Sequence, residues 1–323
     1  MATVVVAGLS AAIGSAAAGL TIFGLAATSL AGFAAAFALG AGLSLVSRAL
    51  MPKPDLGAQM GGQSVMTREA AHSRKIIYGR ARIGGNVVYL ESTGDDNKYL
   101  WLVTAIAGHE IDAYEEVWFN DEKIWDGGNF TSAWATTGNS STSPYVDLSF
   151  HLGNQTTVDS GLDDASTKWT SNHILLDTAY MVVKLTYDQE QFAQGLPNIS
   201  TVIRGKKVYD AQKDSTSAYY KSSLGVSTQR ASDASTWQWS QNPALCVRDY
   251  LTDTKYGLAE SASNILTSSI DTATDVCNQA VDLAVGGTQP RYTMDGVVDT
   301  GNSIKANIEN MVGSMIGRLV YSG

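Results

Sequence analysis

The feature that most constrains this chain is its beginning. From residue 1 to residue 47 no side chain is charged, and Arg48 is the first that is. A bilayer core takes about 20 apolar residues in a helix, so the tract suffices for one tilted span or two short helices meeting near Thr28 and Ser29. A secretory signal would want a basic start and a single apolar stretch of about 7 to 15 residues. This tract opens on Met-Ala-Thr-Val and runs far longer. Gly14, Gly19 and Gly24 recur every five residues, with Ala16, Ala17 and Ala18 among them. Small residues of this kind allow close helix contact in lipid, or a tight bundle of identical chains. Either way the tract must be covered, because an exposed apolar helix of this length aggregates. An apolar helix or helical hairpin is therefore expected over 1–50, with Gly14, Gly19, Gly24, Phe33 and Phe37 as axial or membrane-contacting residues. Residues 51–74, rich in glycine near 57–62 and without period, read as a linker.

Beyond the linker the pattern changes to short strands. The runs 76–78, 87–90, 99–107, 111–119 and 180–187 are rich in β-branched and aromatic residues, with Gly84-Gly85 and Gly108 between some of them. This predicts an antiparallel meander over 75–126 rather than strands alternating with long helices. Residues 127–172 lack periodicity and read as a loop-rich insertion with a short strand at 145–151. A hairpin about Gly205 is expected within 200–209. Asn242-Pro243 is a helix start, with Asn as cap and Pro in first position. Ile270, Ala273, Val276, Cys277, Ala280, Val281 and Ala284 form one helical stripe, and Ile304, Ile308, Met311, Val312, Met315 and Ile316 another. Leu319 to Tyr321 looks like the start of a strand, hinting at a longer protein. The expected class is mainly β with α+β parts: antiparallel β-rich domains over 75–210 and a helix-containing α+β domain over 211–323.

Chemistry is scarce. Gly108-His109-Glu110-Ile111-Asp112 gathers proton carriers but lacks the two-histidine helical spacing of a zinc site, and reads as a solvated turn or an intersubunit contact. His72, His151 and His173 have no evident sequence partners. There is no nucleophile elbow and no phosphate loop, so neither catalytic residues nor a cofactor or metal are assigned. With 22 basic against 31 acidic residues, a net charge of -9 argues against general polyanion binding. The cations worth following are Arg80 and Arg82 as an interface or channel rim, and Lys206 and Lys207 as bridges to an acidic neighbour, with His109 and Glu110 beside them.

Five ordered blocks carry a resemblance. They are Lys75–Gly85; Tyr99–Asp112 with Val117–Ile124; Val202–Asp210; Asn242–Leu258; and Arg291-Tyr292 with Asp295-Gly296 and Gly317–Tyr321. Together they resemble the amino-terminal region of the tail tip, or central fibre, proteins of long-tailed bacteriophages, the host-specificity family typified by the lambda tail tip protein. The resemblance covers about residues 72 to 323. It implies β-rich hub domains in a homotrimer that closes the tail tube at the distal end of the virion. It also implies neighbouring tail or tube-ring proteins and DNA that passes without specific binding. Contact of residues 1–47 with the tape-measure protein or the host membrane is a further expectation. The competing expectation is a membrane-anchored envelope or secretion-machine component, distinguished by needing detergent and lacking tail partners.

Overall fold

The computed structural model describes residues 65–70 and 72–320. The expected apolar helix, with Gly14, Gly19, Gly24, Phe33 and Phe37, lies outside the described residues. The fold is mixed α/β, with several antiparallel sheets and helices toward the carboxy terminus. Its strands are β1 (Lys75–Tyr78), β2 (Arg80–Ile83), β3 (Asn86–Thr93), β4 (Tyr99–Ala107), β5 (Ala113–Phe119), β6 (Glu122–Trp125), β7 (Val146–His151), β8 (Ala179–Thr186), β9 (Ile199–Arg204), β10 (Lys207–Val208), β11 (Gln238–Trp239), β12 (Ala280–Asp282), β13 (Thr288–Pro290) and β14 (Gly296–Asp299). The helices are α1 (Ser160–Ala165), α2 (Pro243–Thr252), α3 (Thr267–Asn278) and α4 (Ile304–Gly313).

Two four-stranded sheets, in the orders β2-β9-β5-β6 and β3-β4-β8-β7, enclose the first core. Alternation along β4 sends Leu100 and Leu102 into that core, while Trp101 and Val103 face the other way. On that second face α1 and its flanking loops bring Leu162 and Trp169 against Trp101, Tyr180 and Val182. A further core lies between the β1–β14 ribbon and α2, α3 and α4, built on Tyr78, Leu245, Tyr250, Cys277 and Met311. Strand β1 serves both cores: Ile77 enters the first, while Ile76 and Tyr78 enter the helical one.

The expected meander is corrected. Strands β1, β2 and β3 are consecutive in sequence yet belong to three different sheets, and β4 and β5 to two. Local pairing holds for β3–β4 and for β5–β6, where Asn120 takes the positive φ of the turn. The hairpin expected about Gly205 does not form, because β9 stays in its sheet and β10 pairs with β11. Instead Gly205 lies against the backbone of Ile77, and the Lys206 N–H donates to the Ile77 carbonyl at 2.7 Å. A side chain at position 205 would collide with that backbone.

Asn242 caps α2 as expected, its side chain accepting from the Ala244 N–H at 3.0 Å. The stripe expected to run to Ala284 stops at Asn278. Cys277 is in the core, but Val276 is exposed, and Ala280 and Val281 enter a hairpin that Gly286 and Gly287 close with positive φ. In α4, Ile308, Met311 and Val312 are buried, whereas Ile316 lies beyond the helix and is 82% exposed. Leu319 and Val320 are in no strand and are exposed.

Candidate functional site

The six expected interface residues lie on β2, on β10 with the link before it, and on the turn after β4, and of these only Lys207 and Glu110 pair with each other. Arg80 Nε donates to Glu115 at 2.5 Å, and its Nη2 reaches Glu116 at 3.4 Å. The Glu115 bond holds the Arg80 pKa above its ordinary value despite partial burial. Arg82 donates to Ser200 Oγ and to the Asn120 carbonyl, and its guanidinium lies 4.3 Å from the Trp118 ring. Neighbouring Arg204 completes this charged sheet face by pairing with Asp112 at 2.9 Å.

Lys206 turns into the junction of the two cores. Its ammonium donates to Asp249 at 2.7 Å and to Asp253 at 2.5 Å, and the Tyr78 hydroxyl donates to the same Asp249 oxygen at 2.6 Å. Burial pulls the lysine pKa down, but the two carboxylates outweigh it, so the net shift is upward. Burial, then Asp249, pushes the Tyr78 hydroxyl well above its ordinary range. Lys207 donates to Glu110 at 2.6 Å. The expected bridges thus have intrachain partners: each named cation is neutralised by this chain's own carboxylates or held by its own acceptors.

His109 is buried rather than solvated, only 8% exposed. Its Nε2 accepts from the Ile77 N–H at 2.9 Å, and its Nδ1 lies 2.7 Å from the Glu110 carbonyl. Those partners require a neutral ring with its proton on Nδ1. Burial lowers the His109 pKa to about 4. The imidazole acts as a fixed splice between β1 and the turn after β4.

The remaining histidines also have partners. His72 pairs with Glu69, and His173 stacks on Trp169 and contacts Thr170. The Ser149, His151 and Asp159 side chains come together as no spacing in the sequence suggested. Both the Ser149 hydroxyl and His151 Nε2 contact the same Asp159 oxygen, at 2.5 and 2.8 Å. A nucleophilic triad needs the serine proton to go to one imidazole nitrogen while the acid orients the other. Here one nitrogen faces both groups and the serine proton is directed at the acid, so no relay exists. Asp159 caps α1 through the Leu162 N–H, and although burial raises its pKa, the hydrogen bonds from His151, Ser149 and Leu162 bring it below the usual carboxylate range.

Ser149 and Asp159 border a cleft of about 530 Å³, lined also by Thr93, Tyr99, Trp101 and Lys184. Among its polar groups Lys184 pairs with Asp147 at 2.8 Å and Trp101 Nε1 with Thr93 at 2.9 Å. Among the described residues no group of three or more His, Cys, Asp or Glu side chains is arranged to hold a metal ion. What the junction does chemically is join two cores by buried ion pairs.

The residues missed in sequence reading are the carboxylate partners. Asp249 and Asp253, four apart at the end of α2, held a legible signal, since that spacing puts both on one helix face. Glu115 and Glu116 had none, because their partner Arg80 is 35 positions away.

No protein-family model matches the chain. Over 128 residues, 39% of its length, it is 31% identical to "Tip attachment protein J" of Escherichia phage SECphi27. The chain is distantly similar to a phage tip attachment protein. The match covers 10% of that protein's length. A chain from the virion of a native gene transfer agent particle aligns over 81% of this chain and 64% of its own, with 13% identity. Its TM-score is 0.41.

Proposed function

We propose that the chain is a structural subunit at the distal end of a phage-type tail. In this reading it forms a trimeric hub that closes the tail tube, anchors a central fibre and takes part in host attachment and DNA ejection. The observation that carries the reading is the similarity over 128 residues to a tip attachment protein. The electrostatics agree with it. A net charge of -9 and cations neutralised within the chain give passing DNA little to hold. Its partners are two further copies, distal tail or tube-ring proteins, and the tape-measure protein. In the same reading the 1–47 tract lies on the axis and meets the host membrane after triggering, with Gly14, Gly19, Gly24, Phe33 and Phe37 as its axial or membrane-contacting residues. Among the described residues no helix is long and apolar enough to cross a membrane.

Native mass spectrometry of mild-detergent extracts, with image classification of whole tails, tests the reading. A three-chain particle bound to tail proteins is expected. A single chain in a detergent micelle without tail partners would overturn the hub and favour a membrane-anchored envelope or secretion component. Failure of the isolated 1–50 peptide to partition into liposomes would remove the membrane contact alone.

A further inference from the structure

Two features at opposite ends of α3 are unexplained by anything within the chain. The first is the β12–β13 hairpin at its carboxy-terminal end. All fourteen residues from 278 to 291 are exposed, yet they form an ordered ladder, Val281 opposite Gln289 and Asp282 opposite Thr288. A two-stranded hairpin alone is marginal in water. This one displays Val281, Leu283 and Val285, the last 94% exposed. Asp282 is the sole charge between Gln279 and Pro290 and has no partner among the described residues. A bare strand edge with so little charge is an association surface unless something covers it.

The second is Arg248 on α2, beside the amino-terminal end of α3. It is half-buried, and its guanidinium has no carboxylate or other hydrogen-bond acceptor among the described residues, only the Tyr209 ring at 4.8 Å. Burial, only partly offset by Tyr209 and Asp249, lowers its pKa. A desolvated guanidinium without acceptors is costly. Arg248 and Thr267 line one narrow crevice. The carboxylates there are engaged elsewhere: Asp210 by the Gln212 N–H, Asp271 by Gln212 Nε2 and Lys221. Beside the crevice Leu266 is 68% exposed and supplies no side-chain cap to α3.

We infer that the β12–β13 hairpin is an arm that docks on the Arg248–Leu266 surface of a second copy of this chain, with Asp282 pairing to Arg248. The two surfaces match in charge: strand alternation puts Asp282 on the face of the arm opposite Val281, where its unpaired carboxylate meets the Arg248 guanidinium, which has no acceptor of its own. They are separated within a chain by the length of α3, 12 residues or roughly 18 Å. Arm and receiver are therefore different patches, and the contact is head-to-tail, the heterologous kind that closes into a ring when the rotation allows. This rests on the trimeric reading above and assigns the surfaces that would join its subunits.

The test uses the full chain in mild detergent, with native mass and circular dichroism read for Asp282→Arg, Arg248→Asp and the double variant. The wild type is expected at about three times 34.2 kDa. Each single variant is expected to fall to one chain, and the double variant, with the charges exchanged, to return to three. Asp282 is exposed, so Asp282→Arg keeps the wild-type spectrum and reports on assembly rather than folding. A three-chain mass for Asp282→Arg overturns the arm while leaving the trimer intact. A folded single-chain Asp282→Arg without recovery in the double variant, while Arg248→Gln stays at three chains, overturns the pairing with Arg248. A wild type at one chain overturns the trimeric reading and the arm with it.

Discussion

His109 shows how one side chain can set an environmental limit. In the unfolded chain a histidine titrates near 6.5, whereas burial brings this one to about 4. The folded state therefore binds fewer protons between those values, and stability falls as pH is lowered through that window. It is fully present above about 6.5 and the loss is complete below about 4, on the order of 3 kcal/mol. Chemical unfolding from pH 7 to pH 4 is expected to show this slope, and His109→Gln, which keeps an acceptor for the Ile77 N–H, to flatten it. Lys206 is a second such residue. Lys206→Met leaves Asp249 and Asp253 buried without their cation, and breaking a buried pair costs about 3–5 kcal/mol. Tyr78→Phe removes one neutral donor to Asp249 and should cost less, about 1–3 kcal/mol. Equal losses in urea unfolding would mean that the ion pairs are not what holds the junction.

At the scale of elements, the joint is the passage of β9 into β10 beneath β1. Gly205→Ala puts a methyl group into the Ile77 backbone, so the fold must open where its two cores meet. A destabilisation of several kcal/mol is expected, with exchange protection lost first at the β1–β14 ribbon. A wild-type melting temperature for that variant would show that the junction yields easily. The start of α2 is a milder case. Asn242→Ala removes a cap, about 1 kcal/mol, together with the side-chain bonds from Asn242 to the Thr274 carbonyl and Asn278. Its cost is therefore expected at the upper end of the cap range, about 2 kcal/mol, in denaturant melts.

For the whole molecule, the arrangement is a β sandwich joined to a helical part through a shared strand. Most cations of the junction are already matched within the chain, so its charged face is not short of partners. Among the described residues Arg248 on α2 and Asp282 on the arm beyond α3 have no ionic partner, and there assembly is expected to be sensitive. Raising salt from 0.05 to 0.5 M should weaken assembly through an Asp282–Arg248 contact, because screening shortens the reach of the exposed Asp282 charge toward its partner, while the melting temperature of the single chain changes little. Invariant assembly across that range would point to an apolar interface instead.

Sequence alone determined what depends on neighbours a few positions apart. The Asn242-Pro243 helix start, the strands at 99–107 and 180–187 and the inward Cys277 all follow from local propensity and periodicity. Arg80, Arg82, Lys206 and Lys207 stood out in the sequence only as cations. Their partners were not legible, because Arg80 meets Glu115 and Lys206 meets Asp249 only after distant segments are brought together. The same holds for strand pairing. Alternation along β1, β2 and β3 says which faces are apolar, but a free edge accepts any strand, and the tertiary structure sent these three to three sheets. The stripe after Cys277 failed for a related reason. Ala280 and Val281 keep helical spacing on paper, yet the positive φ of Gly286 and Gly287 closes a hairpin there. Local chemistry specified the elements, and long-range packing decided which of them meet.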